Sequence, residues 1–435
     1  MKKFFSVIIL AILTNSAFSQ WHELEGYFAY NPGDAYFSGD ICFDIAPDNG
    51  IYVATGYRYN SPHYQWYKIT KSHDEGITWG ECNTPPSQEL NWCSGIFCVT
   101  PSEFVVTSYG DENGIWATSD DGISWSKLGS TGADGHFISG DFTDISNGLV
   151  LHSYYNKKSS LFTGMAELCR IENGIFAMTL IDTLDFRKGT VQMLNDTTGI
   201  ILCRNYEGFL PPEPGNNIIL KTTDSGNTWS TLYTDTTYNL NHILFISPEK
   251  GILAGNGGII KQTSDGGITW NPMESGTDKN IRYIASKNDV FMCVGDSGLI
   301  LRKDANSDEW DNISFGTSNY LNIKLNNSFF GFILTADSKI LYSNEALGIK
   351  ESGVTDDLTV YPNPCRKQVS CNAANLSRLK AIRIQNSTGQ VVMTHENNFN
   401  GQLDISHLAP GFYCLSFDFG DRVAVRKLIK IDLTD

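Results

Sequence analysis

One eight-residue pattern recurs four times in this chain and limits what the chain can fold into. Thr263–Trp270 reads TSDGGITW, Ser72–Trp79 reads SHDEGITW, Thr118–Trp125 reads TSDDGISW and Thr222–Trp229 reads TTDSGNTW. Each fits [ST]-x-D-x-G-x-[ST]-W and follows a short apolar stretch such as Gly258–Gln262. The residue types specify a tight, self-bonded turn. A carboxylate at Asp74, Asp120, Asp224 or Asp265 accepts from nearby backbone N–H groups and hydroxyls. Glycine supplies the backbone freedom. Trp79, Trp125, Trp229 and Trp270 end the turns, each with a large ring to insert between packed sheets. Turns of this kind are expected to be buried and structural.

The spacing extends the pattern to the whole chain. The four aspartates are separated by 46, 104 and 41 residues. The long gap holds two units, so a degenerate one falls near Ile171–Phe176. Beyond Asp265 the spacing persists to Trp310, where the pattern has decayed to KDANSDEW. Apolar runs repeat in step, from Gly50–Ala54 through Phe104–Thr107, Gly148–Leu151, Gly199–Leu202, Gly251–Ala254 and Val290–Val294 to Gly331–Leu334. They read as strands buried between neighbours. Seven units of roughly 40 to 50 residues, four strands each, predict a seven-bladed β-propeller. The seventh unit ends at Ile340–Asn344 without a tryptophan, and Gln20–Leu24 reads like the missing strand. Closure protects the edges, so Trp21 is expected to begin the outer strand of the last blade.

The four turns resemble the Asp-box (BNR, sialidase-like) repeat of β-propellers. That resemblance implies that the aspartates stabilise the fold and do no catalysis. It also raises a glycoside hydrolase as the alternative function. A sialidase needs three arginines, a Tyr nucleophile with a Glu, and an Asp acid. The propeller has Arg58, Arg170, Arg187, Arg204, Arg282 and Arg302, but no Phe-Arg-Ile-Pro motif. Glu172, Glu207 and Glu213 could join an Asp as a glycosidase pair, yet sequence provides no distance. We assign no catalytic residue.

Residues 1–19 read as a secretory signal peptide: Lys2 and Lys3, an apolar Phe4–Leu13, and Ala17-Phe18-Ser19 before Gln20. It is too short to span a membrane, and no other run approaches that length. The net charge of −16 argues against nucleic acid as a partner. Ten cysteines in an exported chain permit disulfides, with Cys93 and Cys98, or Cys365 and Cys371, close enough in sequence to bridge. No Cys-x-x-Cys and no His-Glu-x-x-His occurs, so no metal or cofactor is expected.

Residues 350–357 read as a linker. The remaining stretch, 358–435, has short alternating strands and predicts a small Ig-like β-sandwich. Tyr361-Pro362-Asn363-Pro364, Asn386–Gln390, Leu408–Tyr413 and Lys427–Lys430 closely resemble the type A C-terminal sorting domain of the type IX secretion system of Bacteroidetes-type bacteria. The resemblance implies that residues 358–435 engage that machinery and that the propeller, 20–349, is released or held at the cell surface.

Binding is expected at one mouth of the propeller. In each blade the loop joining strands two and three lies on the face opposite the repeated turns. Three such loops are long: 57–65, 153–162 and 205–217. At the end of strand two, four successive units place Tyr57, Tyr109, Tyr154 with Tyr155, and Tyr206. Tyr59 follows in the first of the long loops. The next three units place Asn256, Asp296 and Asp337. An aromatic arc facing a polar arc suits a glycan or an extended peptide.

Overall fold

A computed structural model describes residues 21–24, 41–58, 65–74, 76, 78–85, 90–110, 113–132, 135–155, 164–180, 186–205, 217–287, 290–304, 307, 309–326, 331–343, 358–361, 365–372, 378–386, 391–396, 399–409, 411–419 and 423–430. Seven four-stranded antiparallel sheets succeed one another, six of them with their strands in sequence order. Blade 5 shows the plan: Leu240–Phe245, Gly251–Gly255, Ile260–Thr263 and Asn271–Met273, each pairing with the next. The second strands are mainly apolar because both their faces are covered. Gly251–Gly255, Val290–Gly295 and Gly331–Thr335 are buried at every position.

The first strands form the inner wall. They are Ile41–Ile45, Leu90–Cys98, His136–Asp144, Phe186–Met193, Leu240–Phe245, Ile281–Lys287 and Tyr320–Leu325. Each contacts the next, and Tyr320–Leu325 contacts Ile41–Ile45, so the ring closes. Closure is also covalently non-local at the outer edge. His22 pairs with Tyr342 and Glu23 with Leu341, and Leu24 N–H donates to the Ile340 carbonyl at 2.7 Å. The seventh sheet therefore takes its outermost strand from the other end of the chain, and no blade is left with three strands.

An aromatic ring fills each of the seven seams between blades. Trp79, Trp125, Trp229, Trp270 and Trp310 pack into clusters shared by their own blade and the preceding one. Trp21 does the same between blades 6 and 7. Blade 3 has no tryptophan; its turn at Asn173 and Gly174 joins two strands, and Phe176 takes the seam position.

Two sheets make up the C-terminal unit. One holds Thr359–Tyr361, Gln368–Asn372 and Gln402–Asp404; the other holds Val391–Glu396, Ala381–Asn386, Gly411–Asp418 and Val423–Lys430. Val369, Ile384, Leu403, Leu415, Phe417 and Leu428 form the core between them.

None of the ten cysteines forms a disulfide, so neither bridge permitted by the sequence is made. Cys93 and Cys98 lie on one extended strand. At about 3.3 Å per residue their Cα atoms are held far beyond the roughly 6 Å a disulfide needs. Cys365 and Cys371 are both buried in the C-terminal core without joining.

Candidate functional site: the channel and its mouth

The four repeated turns are built alike. The first hydroxyl (Ser72, Thr118, Thr222, Thr263) donates to the aspartate Oδ1 at 2.8–2.9 Å and accepts the glycine N–H at 2.7–3.0 Å. The seventh residue donates its N–H to Oδ1 at 2.8–3.0 Å and its hydroxyl to Oδ2 at 2.6–2.7 Å. These donors, led by the seventh hydroxyl, hold Asp120, Asp224 and Asp265 down at about 2. In three turns the indole N–H returns to the glycine carbonyl at 3.0–3.1 Å; Trp125 instead donates to Asn83 O at 2.9 Å. Gly267 has φ +92°, and a Cβ there would meet Leu232 of the preceding blade at 2.8 Å. One expectation needs correction. The turn is not buried at its carboxylate: Asp265 is exposed and Asp74, Asp120 and Asp224 are half-buried. The first hydroxyl, and the glycine in three of the four turns, are packed away because those atoms face the sheet. All four aspartates are saturated by their own turns, which suits a structural role.

The tyrosines that define the expected arc can be placed by backbone. Tyr57 pairs with Trp66, Tyr109 with Trp92, Tyr154 with Met165 and Tyr155 with Gly164, all at the ends of second strands. Tyr59 and Tyr206 lie outside the described residues, as do most of the three long loops. Opposite them, Asn256 and Asp296 open single 3-10 turns, Asn256–Gly258 and Asp296–Gly298. Those polar residues are tied down: Asn241 donates to Asn256 at 2.8 Å, and Asp296 accepts from Asn280 at 2.8 Å and from Arg282.

The arginines considered for a sialidase site are partly accounted for. Arg282 pairs with Asp296, Arg170 with Glu172 at 2.8 Å and Arg302 with Asp304 at 2.7 Å. The side chains of Arg58, Arg187 and Arg204, and residues Glu207 and Glu213, lie outside the description. Among the described residues, no group of three or more His, Cys, Asp or Glu side chains is placed to hold a metal ion.

Sequence reading singled out no channel residue, yet the channel holds a cluster of polar side chains. A cavity of about 510 Å³ is lined by all seven inner strands. Strand pairing places Asp44, Asp141, Gln192 and Lys324 at one equivalent position, opposite Tyr52, Leu149, Ile200 and Phe332. We term this the deep tier. Its members stitch blades together. Asp44 accepts from Lys324 Nζ of blade 7 at 2.8 Å and from Cys98 N–H of blade 2 at 2.9 Å. Asp141 accepts Met193 N–H of blade 4 at 2.7 Å. Gln192 gives and takes one bond each with the Phe245 backbone of blade 5, both at 2.8 Å.

Two residues earlier in each strand lie Ser139, Thr190, His242, Tyr283 and Asn322, opposite Leu151, Leu202, Ala254, Val294 and Leu334. Alternation along a strand turns this mouth tier to the same side, about 7 Å nearer the tyrosine face. The His242 and Tyr283 rings lie 3.8 Å apart. Just before this level, five inner strands slip register by one residue, at 93/95, 137/139, 240/242, 281/283 and 320/322. Such bulges bend a strand where the wall opens.

Burial dominates the electrostatics of the channel. It pushes the Asp141 carboxyl up to about 6, opposed by the Met193 N–H and the Lys324 charge. It pushes His242 down to about 3, with Lys324 adding to the effect, and it raises the Tyr283 hydroxyl. For Lys324 burial works against the charge, but Asp44, with Tyr283 and Asp141, outweighs it and holds the ammonium above the ordinary lysine value. A sequence signal for the deep tier did exist: in four of the seven units a charged or amide side chain stands at one constant offset before the repeated apolar strand.

The sequence match most specific to one role lies at the C-terminus. There Tyr413 donates its hydroxyl to the Ala409 carbonyl at 2.8 Å, which pins the turn of the Leu408–Tyr413 motif. A family model described as a secretion system C-terminal sorting domain matches residues 359–431. A second, described as photosynthesis system II assembly factor YCF48, matches residues 221–321. No curated protein sequence matches the chain. Among solved structures, the chain is similar to YCF48 from Cyanidioschyzon merolae, at 16% identity over 74% of this chain and 98% of that one, with a TM-score of 0.53. YCF48 bound to D1 peptide is similar at 16% identity over 74% of this chain and 96% of that one, TM-score 0.50. So is PorZ, a surface component of the type IX secretion system of Porphyromonas gingivalis, at 13% identity and TM-score 0.52. That match spans 93% of this chain and 60% of PorZ. At these identities the three structures establish the fold. Among the described residues no helix is long and apolar enough to cross a membrane. The fold and the C-terminal match lead to one conclusion: the chain is a β-propeller with a type IX secretion C-terminal sorting domain, and is a secreted, cell-surface or extracellular protein.

Proposed function

We propose that this exported propeller is a binding or scaffold protein whose mouth, on the face opposite the repeated turns, receives a glycan or an extended peptide. In this reading residues 1–19 are a cleaved signal peptide, 20–349 the propeller that binds, 350–357 the linker, and 358–435 the sorting domain that engages the secretion machinery. The observation that carries the reading is the register. Tyr57, Tyr109 and Tyr154 lie near the ends of second strands on three successive blades, which supports placing them round one mouth of the channel. Tyr59, Tyr155 and Tyr206 extend the same arc in this proposal. A rigid ring of blades holds such residues in place at little entropic cost, and each ring offers an apolar face with a hydroxyl to orient a ligand. One similar structure is YCF48 with a D1 peptide, which supports a peptide as one ligand class on this fold.

A glycan array and a random peptide display, each probed with the full exported chain, identify the ligand. Tyr57, Tyr109 and Tyr206 are then changed to Ala one at a time, and binding and melting are measured together. Binding lost at an unchanged melting temperature supports the reading. Melting that falls in step with binding shows that the rings plug their own blades and defeats it.

A further inference from the structure

We propose that the upper channel is a binding pocket for one neutral, polyhydroxylated unit the size of a monosaccharide, held by Thr190, His242 and Asn322. The proposal deepens the reading above and rests on it in taking the tyrosine-bearing mouth as the way in.

Unmet hydrogen-bonding capacity is the first support. Thr190 Oγ1, His242 Nδ1 and Asn322 Oδ1 are buried atoms without a hydrogen-bond partner in the protein. His242 is only 7% exposed. All three belong to the mouth tier, on blades 4, 5 and 7. Buried polar atoms are nearly always paired in native proteins, so three on one ring mark a place where an occupant supplies the missing donors and acceptors. Water is the simplest occupant. The cavity holds much more: about 510 Å³, against roughly 30 Å³ for one water.

The second support is the absence of free charge on this ring. Thr190 and Asn322 do not ionise. Burial keeps the His242 ring neutral and the Tyr283 hydroxyl protonated. One tier deeper, the Lys324 ammonium is matched by Asp44, and Asp141 is bound to Met193 N–H. Lys287 lies beyond the deep tier, toward the opposite end of its strand. On this ring itself a charged ligand would lose its hydration without meeting a countercharge. A neutral one would not.

Chemical variety is the third. Hydroxyls at Thr190 and Tyr283 donate and accept, the Asn322 oxygen accepts, and the His242 nitrogen completes the ring. Among them the Tyr283 ring, packed on His242 with ring centroids 3.8 Å apart, adds an apolar surface. Alternating hydroxyls and C–H faces are the matching surface, and sugars present that alternation.

The test is saturation-transfer NMR on the full exported chain, with glucose, galactose and mannose as neutral probes and glucuronate and glucosamine as charged ones. Histidine rings are isotope-labelled, and the His242 signal is assigned with His242→Gln. At least one neutral sugar is expected to bind saturably and to shift the His242 ring signals, while the charged probes do not. Thr190→Val and Asn322→Ala should each weaken binding about fivefold, the loss of one hydrogen bond of about 1 kcal/mol. Should a variant fail to fold, the His242 shift in the parent chain still decides the matter. No saturable neutral sugar, an unmoved His242 signal, or charged probes binding as tightly would each overturn the pocket and leave a water-filled channel. Tyr57→Ala and Tyr109→Ala complete the series. Sugar binding kept in those two but lost in Thr190→Val refutes the mouth reading alone. The reverse pattern refutes the pocket alone.

Discussion

Lys324 Nζ lies 2.8 Å from Asp44 Oδ1, across the seam where the last blade meets the first. One residue comes from each end of the propeller sequence, so the pair is a second closure, inside the ring, to match the strand exchange outside it. Its side chains are 30% and 13% exposed, and channel water tempers the energetics. Removing one partner strands the other charge in a poorly solvated place. Lys324→Met or Asp44→Asn alone should therefore cost about 3 kcal/mol. The double variant should recover much of that loss. Urea unfolding of all four chains checks the coupling, and strictly additive losses would show that the pair does not act as a unit.

Asp141 carries the opposite sign. Burial raises its folded pKa to about 6 from 3.8, so the fold favours the protonated acid. That stabilisation is complete below about pH 4 and is lost as pH rises through 6. Asp141→Asn keeps an acceptor for Met193 N–H and drops the charge. It should be more stable than the parent above pH 6, by at most about 3 kcal/mol, less whatever channel water screens. The difference should vanish near pH 4. Denaturant midpoints at the two ends of that range measure it.

Trp21 is 3% exposed and packs with Val290, Met292, Ile323 and Ile333 across the seam of blades 6 and 7. Trp21→Ala should cost about 3 to 5 kcal/mol. Because the same residue leads the strand that closes the ring, proteolysis should begin at the exposed edge of blade 7. A variant with parent-like melting and cleavage would show that closure does not depend on this ring.

Acid should loosen the repeated turns together. Asp120, Asp224 and Asp265 are held near 2 by hydroxyl and amide donors. For a depressed carboxyl, stability is present above the unfolded value near 4 and is lost as pH falls through the folded value. Melting temperature should drop between pH 4 and pH 2. Asp265→Asn should lower it at neutral pH while flattening that acid limb, and ligand binding at neutral pH should not change. A variant that melts normally but no longer binds ligand would assign the turn a functional role.

The seven-fold repeat, the four-strand blade and the incomplete last unit were legible because each rests on local chemistry. A turn such as Thr263–Trp270 makes almost all its hydrogen bonds within eight residues. Its structure is therefore written where it occurs. The sorting motif was legible for the same reason, since Tyr413 bonds to Ala409 four residues away. Phe176 in place of a seam tryptophan was not foreseen, because any large apolar residue fills a seam and only packing selects it.

The channel is the contrary case. Thr190, His242 and Asn322 belong to blades 4, 5 and 7 and share no local pattern. Nothing near His242 in sequence says that Tyr283 will lie 3.8 Å away. Each looks like a polar residue at the start of a strand, a position solvent usually reaches. The sequence by itself determined the repeat, the blade count and the export signal, because these are encoded in bonds of short reach. Only the tertiary structure decided which residues meet at the axis and which lose their water there, because a ring converts equal offsets along seven strands into one shared plane, and neither burial nor the field of a distant charge exists until that ring has closed.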